Sequence, residues 1–178
     1  QAVQQWAWLS LLVGTIGVIY GALVAMVQPD IKKLVAYSSV SHMGYILIGM
    51  FVLNSYGVTG AIYQMLNHGI STGALFLLVG MIYERTHTRE IKQYGGLASV
   101  LPLYTIFFFI ITLSSIAVPM TNGFIGEFLI LLSTFESHKI VTYFAVTGVV
   151  FGAAYMLWMF KKVFFGEASP LVKGEGHH

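Results

Sequence analysis

Cysteine is absent from this chain, and charge is scarce. Without a thiol there is no disulfide, no thiolate nucleophile, no iron–sulfur cluster held by cysteine and no Cys-type metal site. Charged residues make up 9% of the 178 positions, against about 25% in an ordinary soluble domain. The net charge of +2 gives no reason to expect a nucleic-acid partner. Dinucleotide fingerprints, phosphate-binding loops and nucleophile motifs are missing as well. Hydrophobic side chains are plentiful, at 57%, and the mean hydropathy is +0.79. This is the composition of an integral membrane protein. Glycine is frequent, at 19 residues, which suits close packing of membrane helices.

A helix needs about 20 apolar residues to cross a bilayer core. Segments 6–27, 34–53, 60–83, 101–135 and 140–162 meet that need. The apolar runs are continuous rather than alternating, which excludes a β-barrel. The expected fold is an all-α, polytopic membrane helix bundle of about five spans forming one membrane domain. The fourth segment is too long for one straight span. It contains Pro119 and the Asn122-Gly123 pair, both helix breakers, so a discontinuous helix is expected, with halves near 101–118 and 124–135.

The loop charges orient these spans. Five crossings put loops 28–33 and 84–100 and the tail on one side, with Lys32, Lys33, Arg85, Arg89, Lys92, Lys161, Lys162 and Lys173. Lys139 stands alone on the other. Positive residues accumulate on the cytoplasmic side, so those loops are expected there, or on the matrix side of a mitochondrial membrane. Three Gly-x-x-x-Gly pairs, Gly17/Gly21, Gly69/Gly73 and Gly148/Gly152, are candidates for close helix approach. The chain opens at Gln1 directly into an apolar segment, so it is expected to begin inside a longer polypeptide.

Of seven acidic residues, only Glu127 lies within an apolar stretch. An acid at membrane depth costs roughly 2.5–3.5 kcal/mol on insertion scales and is usually kept for a purpose, proton relays prominent among them. Burial favours the neutral acid, whereas a nearby lysine or the N-terminal end of the second half-helix favours the carboxylate. A group balanced between these influences can load and release a proton. In the plainer alternative, a protonated Glu127 hydrogen-bonds a carbonyl at the helix break and only stabilises it. His68 shares a helix face with Gln64, Ser71 and Thr72. It is either a proton carrier, since histidine titrates near neutrality, or an interhelical contact worth about 0.6 kcal/mol. His42 falls on a face with Ser38 and Tyr45. It is a relay site, an uptake path from the cytoplasm, or a structural polar seam. Neither histidine has metal-ligand spacing. Lys32 and Lys33 read most simply as topology determinants, and Glu84, Arg85, His87, Arg89 and Glu90 as a solvated loop.

The strings Gln28-Pro29-Asp30-Ile31-Lys32-Lys33-Leu34-Val35-Ala36-Tyr37-Ser38-Ser39-Val40-Ser41-His42-Met43-Gly44, Gln64-Met65-Leu66-Asn67-His68-Gly69, Tyr83-Glu84-Arg85-Thr86-His87-Thr88-Arg89, Gly95-Gly96-Leu97 and Asn122-Gly123-Phe124-Ile125-Gly126-Glu127-Phe128 resemble the antiporter-like subunits of respiratory complex I. The Tyr83–Arg89 string, and glutamate where sister subunits carry lysine, resemble the M type of that family, equivalent to subunit 4 of the mitochondrial enzyme. The resemblance implies an inverted-repeat fold and proton translocation driven by electron transfer in other subunits. It implies that Glu127 is the acid of the second broken helix, which passes the proton on, and that His68 and His42 connect towards it. No cofactor is implied in this chain. NADH, FMN, iron–sulfur clusters and quinone would sit in partner subunits, and the partners would be other complex I membrane subunits, including sister antiporter-like ones. The implied location is a bacterial inner membrane, or less readily the mitochondrial inner membrane.

Two departures stand out. Met120 follows Pro119 where the family usually has glycine, and the resemblance covers only the later helices of a much longer subunit. The chain is therefore expected to be a fragment. His177-His178 at its end fits either native sequence or a tag. Two other readings remain open at this stage: a subunit of a multisubunit Na⁺/H⁺ antiporter or membrane-bound hydrogenase, and a passive membrane scaffold.

Overall fold

The computed structural model describes residues 2–116 and 122–166. Seven α-helices follow one another: α1 Ala2–Met26, α2 Ile31–Phe51, α3 Ser55–Thr86, the single turn α4 Leu97–Val100, α5 Pro102–Ser115, α6 Asn122–Ser137 and α7 Lys139–Phe164. Among the described residues, α1 (from Gln5), α2, α3 and α7 are each long and apolar enough to cross a membrane. Helices α5 and α6 are shorter, at 14 and 16 residues, and stand where the sequence predicts one interrupted span. Pro119, one of the two breakers on which that interruption was read, lies outside the described residues, as does Met120. Asn122 and Gly123, the other breaker, are the first two described residues of α6 rather than a gap before it.

Helix ends follow local chemistry. Helix α2 begins three residues before its hydropathic segment because Asp30 caps it. The Asp30 carboxylate accepts from the backbone N–H of Lys32 at 2.8 Å and of Lys33 at 3.3 Å, satisfying donors that a helix start leaves open. Lys32 and Lys33 thus form the first turn of α2 rather than a loop. Asn54 caps α3 through Tyr56 N–H, and His87 ends it in the left-handed conformation with φ 57°. Pro102 opens α5 at a position where its missing N–H costs nothing.

Of the residues read as a solvated loop, Glu84 and Arg85 end α3 and His87 caps it; these and Glu90 are exposed, while the segment that follows is a folded tie. Ile31 N–H donates to the Arg89 carbonyl at 2.9 Å, and Ile91 N–H to the Pro29 carbonyl at 2.8 Å. Ile91, Tyr94 and Leu97 are buried. Tyr94 hydroxyl bonds Thr86 Oγ1 at 2.6 Å and the Thr88 carbonyl at 2.7 Å, while Gly96 N–H reaches the Phe165 carbonyl just past α7. Burial of three apolar side chains stabilises this tie, and Glu84, Arg85 and Glu90 stay exposed beside it.

Two apolar clusters make the core. One gathers Leu34, Val35, Val79, Ile82, Leu97, Phe108 and the Met156–Phe164 face of α7 at the basic end. The other gathers Leu11, Val18, Tyr45, Ile48, Ile130 and Ala145 farther along the bundle. Large apolar side chains such as Trp8, Ile16, Leu66, Ile70, Leu77 and Ile140 are exposed, the surface expected of helices that face hydrocarbon or other membrane helices. Glycine governs the α1–α2 contact: a Cβ added at Gly21 would lie 2.7 Å from Ser41 N and 2.9 Å from the Tyr37 carbonyl oxygen. The Gly69/Gly73 pair has nothing within 4 Å of either built Cβ and closes no contact among the described residues.

Candidate functional site

Three helices carry the predicted groups to the seam between the two apolar clusters. Helix α2 brings His42, α3 brings His68 and α6 brings Glu127. The polar stripe of α2 turns inward: Ser38, Ser41, His42 and Tyr45 are all buried. On α3, Gln64, Asn67 and Ser71 are buried, while His68 and Thr72 lie half-buried beside them. Glu127 keeps only 4% of its surface exposed.

Each histidine is held by hydroxyls. Both ring nitrogens of His68 have one, with Ser39 Oγ 2.9 Å from Nε2 and Thr72 Oγ1 3.2 Å from Nδ1. A hydroxyl can donate or accept by rotating, so this arrangement tolerates either tautomer. Ser38 Oγ lies 3.4 Å from His42 Nδ1. The two imidazole rings are 5.5 Å apart between centroids, and Tyr45 sits on the other side of His42 at 6.5 Å.

His42 lines two small cavities. One is bounded by His42, His68, Gln64, Asn67, Ser71, Ser114 and Ser115. The other is bounded by His42, Glu127, Ser41, Tyr45 and Tyr155, closed by Ile116, Val149 and the glycines of α7. Each has about 10 Å³ of room, enough for about one water molecule with polar partners on several sides. The order in space is therefore His68, a polar gap, His42, a second polar gap, Glu127. All three predicted residues are brought together, with His42 in the middle.

Glu127 departs from its sequence expectation in one respect. It is the sixth residue of α6, more than a full turn from the helix start, and the field of a helix end fades within the first turn. The N-terminal end of the half-helix therefore does not hold its charge. Among the described residues it forms no ion pair, and its Oε2 has no hydrogen-bond partner. Gln64 Oε1 is also buried without a partner. It packs over Gly126, where an added Cβ would lie 2.8 Å from it. A buried acceptor without a donor is a place where a water can donate a hydrogen bond.

Sequence reasoning missed Asn67, Ser114, Ser115 and Tyr155. Ser114 Oγ bonds Ser71 Oγ at 3.1 Å across α5 and α3, and the Tyr155 hydroxyl lies beside Ser38. The adjacent serines in an otherwise apolar α5 were a usable signal. Tyr155 carried none, because one tyrosine within an apolar helix reads as an ordinary core or interface aromatic. Among the described residues, no three His, Asp or Glu side chains cluster as a metal would require.

Residues 1–152 match the family model described as the NADH:quinone oxidoreductase/Mrp antiporter transmembrane region. The chain is 51% identical over 156 residues to the NADH-quinone oxidoreductase subunit M of Rhodobacter capsulatus, covering 88% of this chain and 30% of that one. It is 48% identical to the NADH-ubiquinone oxidoreductase chain 4 of Chondrus crispus, covering 85% and 31%. The chain spans about a third of the length of the curated relatives it matches. Among solved structures, a chain of respiratory complex I from Thermus thermophilus superposes with a TM-score of 0.91 at 35% identity, over 98% of this chain and 39% of that one. A chain of the Mrp complex from Dietzia sp. DQ12-45-1b gives 0.90 at 28% identity, over 94% and 32%.

Proposed function

We propose a function for this chain from its family: it belongs to the NADH:quinone oxidoreductase/Mrp antiporter transmembrane family, and within that family it is part of a proton-translocating membrane subunit of NADH:quinone oxidoreductase. The observation that carries the proposal is the position of His42, which borders both small cavities and so connects His68 to Glu127.

The relay works by short transfers. His68 takes a proton at one ring nitrogen, and the Ser39 and Thr72 hydroxyls reorient to match the new protonation state. The rings of His68 and His42 are 5.5 Å apart between centroids, and the first gap has room for about one water to carry the proton between them. His42 then passes the proton through the second gap to Glu127. A carboxylate buried without a donor is costly, so arrival of the proton relieves that cost, while a positive charge on His42 makes ionisation of Glu127 easier. Each step moves one proton and leaves the previous carrier neutral, ready for the next.

Electron transfer that drives the cycle takes place in partner subunits, which hold NADH, FMN, iron–sulfur clusters and quinone. This chain contributes no redox chemistry. Its setting is a bacterial inner membrane, beside sister antiporter-like subunits. The sodium-antiporter alternative is less favoured, since identity is 51% to the R. capsulatus subunit M and 28% to the Mrp chain. A native gel of gently solubilised source membranes, stained for NADH oxidation and probed for this chain, tests the assignment. Comigration with a large NADH-oxidising band supports it. Migration in a separate band without that activity overturns it in favour of an antiporter or hydrogenase complex.

A further inference from the structure

A groove of about 540 Å³ opens at the basic end of the bundle, away from the histidine–glutamate seam, lined by Lys32, Phe76, Val79, Gly80, Tyr83 and Arg89. Its chemistry is graded along the membrane normal. Phe76, Val79 and Gly80 lie on the last apolar turns of α3 and make a greasy floor. Tyr83 follows one turn later, 42% exposed, at the depth where aromatic rings with a polar tip collect. Lys32 and Arg89 close the rim. The Arg89 guanidinium rests 5.6 Å above the Tyr83 ring and 3.4 Å from Asp30, and four of its five N–H donors remain for another acceptor. The Asp30 carboxylate is already engaged by that guanidinium and by two backbone N–H groups. The rim therefore presents an excess of positive charge directly above an apolar slot.

We propose that this groove binds an anionic phospholipid, with its phosphate between Lys32 and Arg89 and one acyl chain laid along Phe76, Val79 and Gly80. Charge complementarity selects the headgroup, because basic pockets between helices at the cytoplasmic face favour acidic lipids. The missing side chain at Gly80 makes room for the acyl chain, since a Cβ built there meets nothing within 4 Å. The inference is independent of the proton relay, and neither Lys32 nor Gly80 belongs to that seam.

The test uses the assembled complex containing the full-length subunit, reconstituted with photoactivatable phosphatidylglycerol or photoactivatable phosphatidylcholine. The expected result is labelling of the α3 segment around Phe76–Tyr83 by the phosphatidylglycerol probe in clear excess over phosphatidylcholine. Lys32→Gln should lower that labelling about fivefold, the effect of removing one basic side chain at an anionic surface. Gly80→Leu, which fills the slot without touching the rim, should abolish labelling by either probe. Three results would overturn the proposal: equal labelling by both lipids, no labelling of this segment because another protein helix fills the groove, or loss of labelling in excess inorganic phosphate, which would make it a phosphate site rather than a lipid site.

Discussion

Two glycines that look alike in the sequence should respond in opposite ways to one added methyl group. Gly21 and Gly73 each close a Gly-x-x-x-Gly pair. At Gly21 a Cβ would lie 2.7 Å from Ser41 N, 2.9 Å from the Tyr37 oxygen and 3.1 Å from Ser41 Cα. All three are backbone atoms of α2, so no side chain can swing aside. Relief to an ordinary contact requires α1 and α2 to part by about 0.7 Å. That movement stretches the Ser41 hydroxyl bond to the Val18 carbonyl, now 2.9 Å, past the range of a useful hydrogen bond, and shifts His42, the next residue. Overpacking of this kind costs typically 1–3 kcal/mol, partly offset by about 0.5–1 kcal/mol because alanine is the better helix former. Gly21→Ala should therefore be destabilising by up to about 2.5 kcal/mol net, with a middle value of about 1 kcal/mol. Gly73→Ala, with nothing within 4 Å of the new carbon, should be neutral or slightly stabilising. The assay is graded heating of the assembled complex, followed by native electrophoresis and NADH-driven pumping. Gly21→Ala should lose the native band at lower temperature and pump less at a given NADH oxidation rate. Equal stability and pumping in both variants would refute the close-approach argument.

The middle position of His42 predicts that His42→Gln leaves assembly and NADH oxidation largely intact but cuts pumping by an order of magnitude or more, measured as acidification per NADH oxidised in vesicles. Tyr155→Phe keeps the packing and removes one hydroxyl from the Glu127 cavity; pumping should slow several-fold without loss of assembly, and an unchanged rate would remove Tyr155 from the site. At the basic end, Asp30→Ala should destabilise more than Arg89→Ala. The first deletes a helix cap worth about 0.5–2 kcal/mol, the second an ion pair whose arginine is 40% exposed and which contributes about 0–1 kcal/mol; heat stability of the complex compares them.

The membrane architecture was legible because hydrocarbon imposes a simple rule on sequence: spans must be long and apolar, so their polar exceptions stand out. Glu127, His42 and His68 stood out for that reason, and their chain positions did place them on inward helix faces. Helical periodicity says which residues share a face but not which faces meet. Ser114, Ser115 and Tyr155 belong to the site only because α5 and α7 close over α2 and α3, a tertiary fact with no local signature. The same limit explains the glycine pairs, since Gly21 faces a backbone and Gly73 faces none. Glu84, Arg85, His87 and Glu90 are exposed, as their charge and polarity suggest, but nothing in them announces that Ile91, Tyr94 and Leu97, just beyond, bury, or that backbone pairing with 29–31 fixes the turn. The weight given to the N-terminal end of α6 also failed, because the helix begins at Asn122 and leaves Glu127 beyond the reach of its end.

The most direct measurement is NADH-driven proton pumping by an assembled complex carrying Glu127→Gln. Glutamine keeps the size of the side chain and cannot release a proton. The relay predicts a complex of normal size that oxidises NADH and acidifies vesicles poorly or not at all. Full pumping per NADH by that assembled variant would contradict it and leave the buried glutamate a structural role alone.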